Sequence, residues 1–253
     1  MTAREHLSQL PMYYINLDKD VSRHTGFLTE MAPLFGSATR IAGIEGWTLP
    51  DEEVVAFRLR HAEHAGKPAP TKWTERVWRI ARGMLGCSRS FQLALRTGLE
   101  AGHERFVLCE DDARPRLELL DIVEPPGGDM VGWGGMQFAA AATDDALFLS
   151  GKPHRWKPLD KPQHGSHGFF CMHCYEVTPR FAEALLEVMA LEDRYNDWCW
   201  NVLWGPRFTA WQSLPQVFCI RSGNLSTIRG TVSANGRTDS FNPVPQLTQE
   251  PLL

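Results

Sequence analysis

Short apolar runs alternate along the chain with longer segments in which apolar residues recur at helical spacing. Four runs have the length and composition of strands, namely 12–16, 40–43, 105–109 and 169–177. Five segments are predicted to be helical, namely 21–32, 51–64, 72–80, 86–102 and 178–190. The strongest is 86–102, where apolar residues from Cys87 to Leu99 recur every four positions on one face. Strands that alternate with helices predict an α/β fold.

Composition places the chain among ordinary globular proteins. It has 253 residues, of which 22% are charged, and a formal net charge of −4. No apolar run approaches the roughly 20 residues that a membrane-spanning helix requires, and a mildly acidic chain does not bind nucleic acid through bulk charge. The polar segment 1–10 and six scattered cysteines favour reduced thiols and a cytoplasmic location. We expect one domain over 1–232 and an extended or disordered tail over 233–253.

Carboxylates directly follow two of the predicted strands. An acidic triplet from Glu110 to Asp112 follows 105–109, and Asp18 follows 12–16. Ligands of open α/β sheets bind beyond the carboxyl ends of the strands, so these side chains are expected at one ligand-binding edge. Carboxylate oxygens suit Mg²⁺ or Mn²⁺, which bridge to phosphate oxygens. The alternative is a solvated acidic turn without a ligand.

The order of these motifs resembles glycosyltransferase family 25, which includes lipopolysaccharide galactosyl- and glucosyltransferases. That family has a Gly-Cys-x-x-Ser-His helix followed by an apolar strand that ends in Glu-Asp-Asp. The segment from Gly86 to Ser90 and the triplet 110–112 resemble this pattern, and the opening Ile-Asn-Leu-Asp at 15–18 resembles the family's first strand. Other segments of the chain also resemble the family's pattern in the same order, up to about residue 200. The chain departs from the usual pattern at three positions, namely Glu45, Arg89 and Phe91.

The resemblance implies a GT-A-like, Rossmann-like fold and transfer of a hexose from a nucleoside diphosphate sugar. It implies UDP as the nucleotide, a hydroxyl acceptor such as lipopolysaccharide or another surface glycan, and inversion at the transferred sugar. It also implies that Asp112, with Glu110, binds Mn²⁺ or Mg²⁺, which would stabilise charge on the leaving diphosphate. The donor-binding residues implied in this way are Asn16, Asp18, Arg23, Glu110 and Asp111.

Two further groups are candidates for the acceptor side. An inverting transferase needs a base for the acceptor hydroxyl, and Asp197 lies where the family often has an acidic residue. Trp198 and Trp200 could stack on a sugar, although a helix cap and core packing would explain the same segment. Lys72 and Arg76 share a face of a predicted helix and could bind an anionic acceptor or DNA, with a solvated basic face as the alternative.

Other interpretations stay open. Cys171 and Cys174 have the spacing of zinc ligands, which His164 and His167 could complete, although buried thiols on a strand are the simpler explanation. The alternative functions are glycosylation of hydroxylated DNA bases, sugar-nucleotide binding without catalysis, a zinc-stabilised interaction module and a metal-dependent phosphohydrolase. The expected partners are a nucleotide sugar and a glycan or other hydroxyl acceptor.

Overall fold

A computed structural model describes residues 1–137, 151, 153–159, 169–203 and 207–220. The predicted tail 233–253 lies outside the described residues. The described helices are α1 (Ala3–Leu7), α2 (Val21–Glu30), α3 (Asp51–His64), α4 (Glu75–Glu100), α5 (Leu117–Leu120), α6 (Pro179–Met189) and α7 (Asn196–Asn201). The described strands are β1 (Pro11–Asn16), β2 (Ser37–Ala42), β3 (Phe106–Glu110), β4 (Ala113–Pro115), β5 (Met130–Gln137), β6 (Arg155–Pro158), β7 (Phe169–Val177), β8 (Ala210–Leu214) and β9 (Phe218–Ile220).

Seven strands form one mixed sheet in the order β2-β1-β3-β7-β5-β8-β6. The first three strands are parallel, β7 is antiparallel to both β3 and β5, and β8 is parallel to β5. Strand β6 closes the other edge antiparallel to β8, while β4 and β9 form a separate two-stranded sheet. The expectation of an α/β fold is confirmed, and the architecture is compatible with a Rossmann-like fold.

Helices cover both faces of the sheet because its central strands are apolar on both sides. In β1, Tyr13 faces a core that includes Phe91 and Leu95 of α4. The neighbouring residue Tyr14 faces a second core that includes Phe27 of α2. Side chains alternate between the faces of a strand, so adjacent apolar residues serve the two cores in turn. No described helix combines the length and apolar character needed to cross a membrane.

Helix α4 is a single helix of 26 residues, so the expectation of two helices at 72–80 and 86–102 is wrong at their junction. The side chain of Thr74 caps its first turn by accepting a hydrogen bond from the Val77 amide. The helix persists through Gly86 because this glycine packs against the loop after β2. A Cβ atom there would lie 2.6 Å from the Ile44 carbonyl oxygen.

The amino-terminal half of α4 projects beyond the carboxyl edge of the sheet. Near its carboxyl end, Gly98 lies against the ring of Phe106, the first residue of β3. Ser90 lies at the opposite edge, where its hydroxyl accepts a hydrogen bond of 2.8 Å from the Ile44 amide just beyond β2. Residues 75–89 precede this contact and span roughly 22 Å along the helix axis at the usual helical rise. They pack against α3 through a small apolar cluster.

Candidate functional site

The carboxyl ends of β1 and β3 flank the point where the chain changes direction across the sheet. From β1 the chain passes through α2 to β2 on one side, and it then returns through α3 and α4 to β3 on the other side. Such a switch point leaves a crevice between the diverging loops, and ligands of open α/β sheets bind there. The predicted donor residues all belong to the two strand ends or to the loop and helix that follow β1.

Asn16 joins the two strand ends directly. Its side-chain amide donates a hydrogen bond of 2.7 Å to Asp111 Oδ2, and both side chains are buried. Its carbonyl Oδ1 accepts a hydrogen bond of 3.0 Å from Arg40 Nε on β2. Arg40 also holds Asp18 through a contact of 2.5 Å, although the Asp18 carboxylate is otherwise exposed. Asn16 therefore connects β1, β2 and β3 at the edge where a ligand is expected.

The guanidinium group of Arg23, on α2, pairs with carboxylates at the ends of β1 and β3. One guanidinium nitrogen contacts Asp111 Oδ1 and lies 3.2 Å from Asp112 Oδ2, and another lies 3.7 Å from Asp20 Oδ2. Burial disfavours the charge of Arg23, but the carboxylates around it, Asp112 foremost, raise its pKa above the ordinary value. Burial also raises the pKa of Asp111 to about 6, although Arg23 opposes this shift.

Asp112 differs from Asp111 in how its carboxylate oxygens are engaged. Its Oδ1 atom is buried and has no hydrogen-bond partner among the described residues, whereas Asp111 is engaged through both oxygens. Within the described part of the chain, no three His, Cys, Asp or Glu side chains form a metal-binding group. Mg²⁺ commonly binds through one or two carboxylates together with substrate phosphates, so the donor set fits a cation that arrives with a diphosphate. Glu110 ends β3 beside this position and is partly exposed.

The structure separates the candidates for the acceptor side. Asp197 belongs to α7, and its side chain lies outside the described part of the chain. Trp198 is partly exposed, but Trp200 is fully buried, with its ring centroid 4.1 Å from that of Tyr175. The expectation that Trp200 stacks on a sugar is wrong because this side chain fills the core between the sheet and α6.

Lys72 and Arg76, which were predicted to share one helical face, do not lie on the same helix. Lys72 is exposed but precedes α4, which begins at Glu75, so it does not belong to the helix. Arg76 is exposed in the first turn of α4.

Several residues of the site were not predicted as members of it. Arg40 is the most informative, because it binds both Asn16 and Asp18 from the neighbouring strand. Lys19 and Glu45 form an ion pair that links the loops after β1 and β2. Their positions in the sequence could have identified them, since each lies on or just after a strand that leads to the same edge of the sheet.

Of the two cysteines with zinc-ligand spacing, the structure describes the side chain of Cys174, which contacts another thiol. Cys174 on β7 is buried directly opposite Cys109 on β3, with the two sulfur atoms 3.2 Å apart. Burial raises the pKa of the Cys174 thiol well above its ordinary value, which disfavours the thiolate that zinc requires. His164, His167 and the side chain of Cys171 lie outside the described residues. The apolar surroundings of Cys174 favour a packing role.

The comparisons with known proteins add no relative of this chain. No protein-family model matches it, and no curated protein matches it at a significant level.

Proposed function

We propose that this chain is a metal-dependent glycosyltransferase with a GT-A-like fold, of the kind found in family 25. It would transfer a hexose from a nucleoside diphosphate sugar, with UDP as the favoured nucleotide, to the hydroxyl group of a glycan. The observation that carries the proposal is the contact between Asn16 and Asp111 at the switch point of the sheet. The contact joins the ends of β1 and β3 at the edge where ligands of open α/β sheets bind, and Asp112 follows β3 there with one oxygen that has no hydrogen-bond partner among the described residues.

Different residues of the proposed site would bind different parts of the donor. Asn16, Asp18 and Arg23 would line its base and ribose end, with Arg40 fixing the first two side chains. Arg23 also keeps Asp111 from repelling the diphosphate, since it neutralises this carboxylate at contact distance. Glu110 would contact the sugar or ribose from the end of β3.

Asp112, with Glu110 beside it, would hold Mn²⁺ or Mg²⁺. The cation supplies Lewis-acid stabilisation of the charge that develops on the leaving diphosphate. Asp112 is suited to this role because Arg23 contacts one of its oxygens and the other has no hydrogen-bond partner among the described residues. The negative charge of Asp112 is thus only partly compensated within the described residues.

Inversion requires a base that removes the proton of the acceptor hydroxyl as the hydroxyl attacks the sugar. We assign this role to Asp197 on α7. Its oxygen would accept the proton while the acceptor oxygen forms the new bond and the bond to the diphosphate breaks. Trp198, the partly exposed neighbour, would contact the acceptor.

The test is a transfer assay in which purified protein is incubated with UDP-hexoses, Mn²⁺ and a panel of bacterial glycans. We expect UDP release that depends on both the glycan and the cation. Asp197→Asn should lower the rate at saturating substrate by about 100-fold or more while donor binding stays unchanged. Release of free phosphate without glycan would instead indicate a phosphohydrolase and would overturn the proposal.

A further inference from the structure

Helix α3 carries an arginine on its buried face, where a helix ordinarily has apolar residues. Arg58 is 4% exposed and shares this face with the apolar residues Val54, Phe57 and Ala62. Its guanidinium group makes no hydrogen bond or ion pair with any residue that the structure describes. A buried charge without a partner is costly, so Arg58 lowers the stability of the fold unless a ligand supplies negative charge.

Helix α3 itself offers no carboxylate to Arg58. Side chains one helical turn away are the ones within reach on the same helix. These residues are apolar or basic, namely Val54, Val55, His61 and Ala62. The partner of Arg58 would therefore have to come from outside the helix.

The carboxylates that pack against α3 after α6 are engaged by other cations. Glu192 pairs with one arginine from α3 and one from α4. Asp193 pairs with Arg194 through a contact of 2.7 Å and lies 3.5 Å from His64. The positive charge of Arg58 is thus uncompensated within the described part of the chain.

A histidine one turn further along α3 also has an unsatisfied polar atom. His61 is 2% exposed, and its Nδ1 atom is buried without a hydrogen-bond partner among the described residues. Burial and the charge of Arg58 lower the pKa of His61 to about 4, and His64 and Lys67 act in the same direction. All the charges that lower this pKa are basic, so the electrostatic potential at the imidazole is positive.

The two residues lie where α3 meets the segment that leads into α7. The imidazole of His61 stacks on the ring of Tyr195, with the centroids 3.9 Å apart. The Tyr195 carbonyl oxygen accepts hydrogen bonds of 2.9 and 3.1 Å from the amides of Trp198 and Cys199, with which α7 begins. A ligand held by His61 would therefore stabilise the start of α7.

We infer that Arg58 and His61 form a binding site for a small oxyanion, a phosphate or carboxylate group, where α3 meets the segment before α7. The planar guanidinium group matches the paired oxygen atoms of such an anion and would regain the negative charge that it lacks. His61 would donate an N–H group from Nδ1 to the same anion, because the anion offsets the positive potential that keeps the ring neutral. This site uses none of the proposed donor residues and does not depend on the transfer reaction.

The test is the melting temperature of the full-length protein in a buffer without oxyanions or divalent cations. Inorganic phosphate, citrate or sodium chloride is added at matched ionic strength. We expect phosphate or citrate to raise the melting temperature by about 5 °C or more at concentrations roughly 100-fold above the dissociation constant. The rise should saturate, which separates binding from the general stabilising effect of these salts. A larger rise with phosphate would assign a phosphate ligand, and a larger rise with citrate a carboxylate.

Three variants assign the rise to this site. Arg58→Met removes the charge and keeps a long side chain, so it should abolish the rise. In the buffer without oxyanions it should melt at or above the wild-type temperature, since an unpaired buried charge is lost. Arg58→Lys keeps the charge without the planar fork and should retain a weaker rise. Arg96→Met replaces an exposed arginine of α4 and is the matched control, which should keep the full rise.

The inference is overturned if neither anion exceeds the effect of sodium chloride, or if Arg58→Met keeps the rise. An Arg58→Met variant that melts well below the wild type without oxyanions, or does not fold, would also contradict it. That result would show that the fold itself supplies the partner of Arg58. The shift caused by UDP and Mn²⁺ is a separate measurement, so failure of the proposed function would leave this test unaffected.

Discussion

At the scale of single residues, the proposed site depends on how buried charges are paired. Asn16 was expected at the site, and its importance follows from contacts that no local pattern reveals. It binds Asp111 with its amide hydrogen and Arg40 with its carbonyl oxygen, and these partners lie 95 and 24 positions away. The positions of Asn16 and Asp111 at strand ends could be predicted, whereas Arg40 as the partner of Asn16 could not, because the pairing depends on the parallel register of β1 and β2.

We predict that Asn16→Ala weakens donor binding and lowers stability together. The substitution leaves one buried oxygen of Asp111 without its donor, which should cost about 1–3 kcal/mol. Arg40 would also lose a partner, so Asp18 would be less well positioned. Calorimetric titration with UDP and Mn²⁺ and denaturation by urea measure the two effects. Unchanged affinity in a variant that is less stable would contradict the donor role of Asn16 and leave only a structural one.

A second residue-scale prediction concerns Glu176, which is buried on β7 away from the site. Its carboxylate accepts hydrogen bonds of 2.9 Å from His6 and 3.1 Å from Trp133, and it pairs with Arg105. Burial opposes its ionisation, but the contacts with His6 and Arg105 outweigh burial and lower the pKa of Glu176. This stabilisation is therefore present above the pKa of the unfolded chain, and it is lost as the pH falls through the lower pKa of the folded protein.

Glu176→Gln should destabilise the protein by about 3 kcal/mol at neutral pH, because it leaves Arg105 with a weaker buried partner. The difference from the wild type should begin to shrink as the pH falls below the unfolded-chain pKa of about 4.3, and it should vanish below the lower pKa of the folded carboxylate. Urea denaturation as a function of pH measures both quantities. The matched control is Glu118→Gln on the exposed side of α5. A difference that stays constant with pH would contradict the assigned ionic role.

At the scale of elements, the long helix α4 connects the core of the sheet to α3 and to the loop after β2. Local pattern predicted a break between residues 80 and 86, since glycine lowers helix propensity. Tertiary packing overrides that preference, because Gly86 lets the loop after β2 approach the helix backbone. Two of the three positions at which the sequence departs from the family 25 pattern lie on this same helix. Phe91 packs in the core against Tyr175, and Arg89 joins Glu53 of α3 to Glu192.

Gly86→Ala should therefore be destabilising even though alanine is the better helix former. Its Cβ atom would lie 2.6 Å from the Ile44 carbonyl oxygen and 2.9 Å from the Gly46 amide nitrogen, so the loop must move. We expect a loss of about 1–3 kcal/mol in the free energy of unfolding. Gly127→Ala is the control, because nothing lies within 4 Å of a Cβ atom there. Equal stability of the two variants would contradict the proposed attachment of the loop to α4.

The strands at the far side of the sheet show why part of the fold could not be predicted. Segment 150–167, with three prolines and three histidines, has the composition of a loop, yet it contains β6. Strand β8 lacks the alternation of apolar and polar residues that predicts a strand, because two of its buried residues, Gln212 and Ser213, are polar. Strand β5 is rich in glycine, which indicates a loop, but a Cβ atom at Gly134 would lie 2.5 Å from His173 Nε2. These strands are stabilised by tertiary contacts, which cannot be recognised from the local sequence.

At the scale of the whole molecule, strand order explains why distant residues meet. The chain places β1 and β3 side by side with β2 outside them, so residues near positions 16 and 111 meet at one edge of the sheet. The apolar runs and the acidic triplet allowed β1, β3 and the meeting of their carboxyl ends to be predicted. The packing of the amino-terminal half of α4 against α3 could not be predicted, because it depends on tertiary contacts.

The central claim is that Asp112 and the crevice beside it bind a nucleotide diphosphate together with a divalent cation. The most direct test is the melting temperature of the protein with UDP or UDP-hexoses, with and without Mn²⁺, for the wild type, Asp112→Asn and the control Glu118→Gln. Ligand that binds only the folded state raises the melting temperature, by roughly 5 °C or more at concentrations about 100-fold above the dissociation constant. We predict a Mn²⁺-dependent rise in the wild type and the control that is lost in Asp112→Asn. No rise with any nucleotide, or an equal rise in Asp112→Asn, would contradict the claim.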